Sequence, residues 1–343
     1  MKIGLVGYQG CGKSTLFAWL TGAEPDPALA HTVQMAMATV PEPRVADLCA
    51  IYHPKKVTLA ALEIVDTPGL ARSHEGNAAR LGLIREAGCL VVVVAAFDGA
   101  RPTADLNRFA EDLILADLEI VAGRVERLHE ALKKPRPNRE EQQAELEAIQ
   151  PLLQVLEAGR ALHETPLTEQ QLRATRSFRL LTEKPRLVIV NLADDDQQQP
   201  QTCAGLVPAD QPLIAVPVGL ERELERMPAD EREEFRREMG LPGFDRDGLI
   251  RSLMETSGQM LFFTAAEKEV RTWMIPRGTT AVEAAGAIHT DLARGFIRAE
   301  VMRCADLVRL GSEREVKAQG LVRQEPKDYV IQDGDVLHIR FSV

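Results

Sequence analysis

The sequence predicts an α/β fold: a doubly wound parallel sheet, interrupted by a helical hairpin and followed by a smaller mixed β domain. Three observations predict it. Short apolar strands alternate with helical stretches on either side of a break, the strand signal is lost from Asp105 to Glu183, and a new texture begins near Phe262.

Lys2 to Val6 reads as a buried strand, with Lys13 to Leu20 a helix directly behind it. Ala61 to Val65 and Leu90 to Ala95 are further strands, the second almost wholly β-branched, as expected of a parallel sheet covered on both faces. Arg186 to Val190 and Leu213 to Val216 complete the series. In the break, Ile114, Leu118, Val121, Val125, Leu128 and Leu132 recur at spacings of four and three, a coiled-coil seam. Lys133-Lys134-Pro135-Arg136-Pro137-Asn138 ends that helix, and Leu146, Ile149, Leu153 and Leu156 resume the rhythm. An antiparallel helical hairpin with a kink at Pro151 follows.

Leu220 to Met239 reads as one charged, exposed helix. Val270 to Ile275 is a strand and Ala281 to His289 a helix, and Tyr329 to Ile331 and Val336 to Phe341 flank Asp333-Gly334, a hairpin-turn signal. The expected domains are residues 1–104 with 184–258, an insertion over 105–183, and 260–343.

With 343 residues, 45% of them hydrophobic, the chain can bury two or three ordinary cores. A net charge of −10 argues against nucleic-acid binding over the whole body and leaves room for a local basic patch. The five cysteines have neither metal-ligand nor redox spacing, which fits a reducing compartment. The longest apolar run, Cys89 to Phe97, is far short of the roughly 20 residues a membrane helix needs. The N-terminus runs into a motif without a signal-peptide pattern. A soluble, cytoplasmic chain with no membrane contact and no metal cluster is expected.

Gly7-Tyr8-Gln9-Gly10-Cys11-Gly12-Lys13-Ser14 matches the phosphate-loop pattern, with a strand before it and a helix after. Gly7, Gly10 and Gly12 let backbone N–H groups of the loop, Cys11 among them, turn inward as an anion nest at the helix start. Lys13 would reach the β- and γ-phosphates, Ser14 would ligate Mg²⁺, and Thr15 would bond a phosphate oxygen. Asp66-Thr67-Pro68-Gly69 closes the next apolar strand, where Asp66 can hold the magnesium through water and the Gly69 N–H can sense the γ-phosphate. Thr32 is the candidate switch threonine for the metal, with Thr39 its rival. Asn191-Leu192-Ala193-Asp194 follows a strand where base recognition belongs. Asp194 would accept from the two donors of guanine, Leu192 would offer apolar packing, and Pro217-Val218-Gly219-Leu220 would be a loop carrying a last base contact.

At these motifs the chain resembles the YchF / Obg-like ATPases, within the translation-factor class of P-loop GTPases. The resemblance is most specific late in the chain: Phe262-Phe263-Thr264-Ala265, Lys268-Glu269-Val270-Arg271, Ala284-Ala285-Gly286, Ile288-His289-Thr290-Asp291, Gly295 to Val301, and Lys327-Asp328-Tyr329 with Asp333 to Val336. These look like that family's TGS domain, a ubiquitin-like β-grasp module. Ala116-Asp117-Leu118 is similar to the family's helical insert. The resemblance implies hydrolysis of ATP or GTP with Mg²⁺ and association with a ribosomal subunit or RNA through the TGS and helical domains. It also implies a hydrophobic residue, here Leu70, in place of a water-positioning glutamine. The sequence departs from the family at Gly10, where Asn is usual, at Asp194, where Glu is usual, and in Asp98 to Pro102, which lacks the family's loop histidine. His74, just past Gly69, is the remaining histidine placed to position water.

Two functions follow: a slow switch-type triphosphatase, or a nucleotide-gated binding module with little hydrolysis. A small-metabolite kinase is disfavoured by the switch motif at Asp66 to Gly69. Lys268, Arg271, His289 and Arg298 are the expected ribosome or RNA contacts, the alternative for this domain being a dimerisation or packing module.

Overall fold

The computed structural model describes residues 1–73, 75–133, 137–194, 203, 205–208, 211–241 and 243–342. The chain divides into two units, residues 1–36 with 63–244 and residues 37–62 with 245–342. The segment 37–62, read from the sequence as part of the first domain, thus groups with the C-terminal region.

The first sheet has the order β2-β4-β1-β5-β6-β7, where β1 is Lys2–Val6, β2 Gln34–Thr39, β4 Ala61–Asp66, β5 Cys89–Ala96, β6 Arg186–Leu192 and β7 Leu213–Val216. Strands β4, β1, β5, β6 and β7 are parallel neighbours. Strand β5 is almost entirely buried, which is why its Val run has no polar alternation. Helix α1 (Lys13–Thr21) follows β1, and α3 (Asn77–Ile84) lies between β4 and β5. The carboxyl ends of β1, β4, β6 and β7 therefore carry the four sequence motifs, Gly7 to Ser14, Asp66 to Gly69, Asn191 to Asp194 and Pro217 to Leu220.

Helix α4 spans Pro102–Leu132, with proline in its first turn, and α5 spans Arg139–Glu157 and continues through Pro151. They run back along each other, with Arg124 paired to Glu145 at 2.6 Å. Val121, Val125 and Leu128 meet Leu146, Ile149, Leu152 and Leu156 in one core. Leu152 is the fully packed residue and Leu153, expected in the seam, is only partly buried. Helix α6 (Glu169–Thr175) closes this region with a Thr168–Gln171 capping box.

The expected helix from Leu220 to Met239 is two: α7 (Val218–Glu225) and α8 (Ala229–Met239). Pro228 separates them, since proline cannot donate to the preceding turn.

In the second unit, α2 (Arg44–Tyr52) and β3 (Val57–Thr58) join α9 (Arg246–Thr256) and a second sheet of order β11-β10-β12-β8-β9-β3. Here β8 is Gln259–Ala265, β9 Val270–Pro276, β10 Phe296–Arg303, β11 Arg323–Glu325 and β12 Asp335–Phe341. Val57 and Thr58 pair with Val270 and Arg271, and Val45 and Leu48 pack into the core with Phe263 and Val270. Those contacts draw 37–62 into this unit. Helices α10 (Ala281–Ile288), α11 (Thr290–Arg294), α12 (Cys304–Leu310) and α13 (Glu313–Ala318) complete it. Asp333-Gly334 does not join a hairpin. Residues 329–331 form no strand, and β12 pairs antiparallel with β10 and parallel with β8. Gly334, at φ +84°, instead turns the chain into β12 while its N–H donates to Leu261 O.

Candidate functional site

The phosphate loop is built around close approaches that only glycine permits. A Cβ on Gly12, at φ +97°, would fall 2.1 Å from Asn191 Nδ2, and one on Gly7, at φ +141°, would fall 2.4 Å from Val93 O. Gly12 begins α1 in a left-handed conformation without a side-chain cap, so the first N–H groups of the helix remain open to an anion.

Lys13 is 6% exposed, and its ammonium donates to Tyr8 O at 2.8 Å and lies 3.6 Å from Cys11 Sγ. Burial pushes the Cys11 thiol up, against the pull of the Lys13 ammonium, so Cys11 is a neutral wall of the cup. Ser14 Oγ donates to Asp66 Oδ2 at 2.6 Å. Asp66 is itself buried, and its Oδ1 has no hydrogen-bond partner among the described residues. Desolvation raises its pKa, and the Ser14 hydrogen bond and Lys13 charge oppose that. A hydroxyl and a carboxylate with a bare buried oxygen suit a hard divalent cation, which prefers oxygen donors and keeps several waters. Among the described residues no cluster of three or more His, Cys, Asp or Glu could hold a metal by itself, so such a cation would need ligand oxygens from a bound phosphate.

The switch segment is pinned at its root. Thr67 Oγ1 donates to Leu5 O at 2.6 Å, Leu70 N–H to Gly7 O at 3.0 Å, and Gln9 N–H to Leu70 O at 3.0 Å. Gly69 lies against Gln9 and Lys13, where a Cβ would meet Gln9 N and Lys13 Nζ at 2.8 Å each. Thr32 is exposed, its hydroxyl donates to Leu29 O at 2.9 Å, and no hydrogen bond joins it to Ser14 or Asp66 among the described residues. Thr39 is likewise exposed, on β2. His74 lies outside the described residues.

A cavity of about 500 Å³ runs from Gly10, Gly12 and Thr15 to Asn191, Ala193, Asp194 and Gly219. Asn191 is a strut: its Nδ2 donates to Cys11 O at 3.2 Å and its Oδ1 accepts from Val218 N–H at 3.0 Å. Asp194 Oδ1 accepts from Leu220 N–H at 3.1 Å. The expected loop at Val218 and Gly219 is therefore the opening of α7, tied to the base motif through backbone donors. Leu192 is 2% exposed and packs in the sheet core, so little of it can lie over a base.

Sequence reasoning missed several residues here. Phe97 and Asp98 line the same cavity just past β5, and an aromatic at the carboxyl end of a central parallel strand was the available signal. Tyr8 points its ring edge-on at Phe109, 5.9 Å between centroids, and donates to Asp112 Oδ2 at 2.7 Å. Arg72 stands over the Tyr8 ring and pairs with Asp105 at 2.6 Å. The phosphate loop and switch segment are thus joined to α4 by partners more than thirty residues away, which no local pattern announces.

In the second unit Arg271 stacks over Trp273 at 4.0 Å, His289 Nδ1 accepts from Asp291 N–H at 3.2 Å, and Lys268 and Arg298 are exposed. No helix among the described residues is long and apolar enough to cross a membrane.

A family model described as "50S ribosome-binding GTPase" matches residues 2–122, and the YchF-GTPase_C model, described as a protein of unknown function (DUF933), matches residues 260–342. The chain is 33% identical over 365 residues to "Ribosome-binding ATPase YchF" of Haemophilus influenzae, covering all of this chain and 99% of that protein. It is 35% identical over 367 residues to "Obg-like ATPase 1" of Oryza sativa subsp. japonica, covering all of this chain and 92% of that one. The solved structure of the Schizosaccharomyces pombe YchF GTPase superposes with a TM-score of 0.87 at 26% identity, over 99% of this chain and 97% of the other. With relatives matching it end to end at about a third identity, the chain belongs to the family of YchF and Obg-like ATPases.

Proposed function

We propose that this chain is a slow, switch-type purine-nucleoside triphosphatase whose nucleotide state governs its binding to a ribosomal subunit or to RNA. The observation that carries the reading is the unspent coordination at the cup. Asp66 Oδ1 is buried and bare beside Ser14 and Lys13, at the mouth of an uncapped helix that opens into a base-sized cavity. In this reading Gly7, Gly10, Cys11, Gly12, Lys13 and Thr15 hold the phosphates. Ser14, and Asp66 through water, hold Mg²⁺, which supplies charge neutralisation to the polyphosphate. Thr32 must leave Leu29 O to join them, the loop movement expected of a switch. Asn191, Asp194, Val218 and Gly219 frame the base, and Leu192 offers it only the small surface it leaves in the cavity wall. The open Asp194 oxygen suits the donors of guanine, and ATP is the alternative that the relatives' names favour. Leu70, fully buried, cannot position water, in keeping with low unassisted turnover.

The ribosome enters through the relatives' printed names and the "50S ribosome-binding GTPase" match. Lys268, Arg271, His289 and Arg298, in a region similar to the TGS domain, are the proposed contacts, together with the helical hairpin; the cytoplasm is the proposed compartment.

Calorimetric titration with ATP, GTP and their diphosphates in magnesium, on wild type, Lys13→Ala and Asp194→Ala, tests the site. Micromolar binding abolished by Lys13→Ala is expected, with Asp194→Ala weakening one purine more than the other. Binding indifferent to Lys13 would overturn the reading. Co-sedimentation with ribosomes in each nucleotide state, with and without Lys268→Ala/Arg271→Ala, tests the output.

A further inference from the structure

A triphosphatase needs a group to orient the attacking water, and the position after Gly69 supplies none, because Leu70 is wholly buried. A carboxamide is present on the facing wall. Gln9, the third residue of the phosphate loop, is exposed, and its side chain makes no hydrogen bond among the described residues. Its backbone is fixed: Gln9 N–H donates to Leu70 O and Leu70 N–H to Gly7 O, two rungs that stitch loop to switch. A Cβ on Gly69 would lie 2.8 Å from Gln9 N, 2.9 Å from Gln9 Cα and 2.8 Å from Lys13 Nζ. The Gln9 backbone and the Lys13 ammonium are therefore packed directly against Gly69, which places the Gln9 side chain next to the group that would hold a γ-phosphate. A glutamine carboxamide reaches about 4–5 Å from its Cα, enough to stand beside that phosphate.

The geometry points to Gln9 as the water-orienting residue, acting from the phosphate loop in place of the missing switch glutamine. The inference rests on the triphosphatase reading. Gln9 Oε1 accepts a hydrogen bond from water while Nε2 donates to a γ-phosphate oxygen, aligning the water opposite the leaving oxygen. A water lone pair forms the new bond to the γ-phosphorus. The bond from that phosphorus to the bridging oxygen breaks, its electron pair leaves with the diphosphate, and the proton of the water passes to the released phosphate. Gln9 gains and loses no proton. Arg72 also lies near the loop, but it stands over the Tyr8 ring and is clamped by Asp105. It also carries only donors, so it cannot accept from the water.

The test uses the full chain as wild type, Gln9→Ala and Gln9→Glu. Single-turnover hydrolysis of ATP and of GTP is measured with magnesium, and affinity is measured with fluorescent analogues of both. Gln9→Ala should slow the single-turnover rate about ten-fold or more while affinity stays within about three-fold, since the group acts on the transition state. Gln9→Glu should recover part of the rate with a new acid limb in its pH profile, because only the ionised carboxylate accepts from water. Unchanged hydrolysis in Gln9→Ala with intact nucleotide affinity would sink the assignment and leave the site reading standing. Failure of the wild type to retain or cleave either nucleotide would sink both.

Discussion

Two buried aspartates of the first unit have opposite surroundings. Asp117, in α4, is fully buried and saturated: Oδ1 accepts from Arg85 Nη1 at 2.7 Å and Leu181 N–H at 3.0 Å, and Oδ2 from Thr182 N–H at 2.7 Å and Thr182 Oγ1 at 2.8 Å. Among the described residues Asp66 has one side-chain donor, Ser14, and a bare oxygen. A carboxylate placed for architecture collects every donor it can hold, whereas one left short of partners under the same desolvation is held for something that arrives later. Asp117 locks the hairpin to α3 and to the turn leading into β6; Asp66 waits at the cup.

If that contrast is right, Asp117→Ala has the largest effect on folding. It strands Arg85 and uncaps two buried backbone donors, so urea denaturation should show a loss of about 3–5 kcal/mol. Nucleotide affinity of the fraction still folded should be near that of wild type, because Asp117 touches nothing in the cup. Asp66→Ala should do the reverse, weakening magnesium-dependent triphosphate binding about 10–100-fold with little loss of fold stability. A calorimetric series with and without magnesium separates the two, and equal effects on both measurements would dissolve the comparison.

The same two residues show what the sequence discloses. Asp66 was legible, because a carboxylate closing an apolar strand after a phosphate loop has a fixed place in the chemistry. Asp117 was legible only as part of a resemblance, since its partners lie 32 and 64 residues away. The parallel strands and the hairpin seam were read from periodicity. Lost were features set by tertiary pairing: Val57 and Thr58 joining the second sheet, Gly334 turning the chain into β12 rather than closing a hairpin, and Leu152 displacing Leu153 from the seam. The base motif was read as a row of contacts, but Asn191 spends both ends of its amide on the protein itself, because α7 begins where a loop was expected.

Tyr8 tests a smaller step between the two regions. Its hydroxyl bonds Asp112 in α4, and burial together with that carboxylate raises its pKa, so it remains a neutral donor. Tyr8→Phe keeps the ring contact with Phe109 and removes only the hydrogen bond, at an expected cost of about 1.5–3 kcal/mol, since the acceptor is charged. If the phosphate loop signals to the hairpin through this bond, hydrogen exchange in α4 should also stop responding to added nucleotide. A stability loss with an unchanged exchange response would reduce the bond to architecture.

The smallest effect concerns pH. Burial holds the Asp66 carboxyl above its ordinary range, so the unfolded chain gives up this proton at lower pH than the folded one does. The contribution of this group to stability is complete below the unfolded value and is lost as pH rises through the folded one. Asp66→Asn escapes that loss. Without nucleotide, its Tm should lie above that of wild type at about pH 7, and the gap should close toward about pH 3, where both chains carry a neutral group. A lower Tm for Asp66→Asn at neutral pH would mean that Ser14 and Lys13 already compensate the charge, and Asp66 would then be as fully provided for as Asp117.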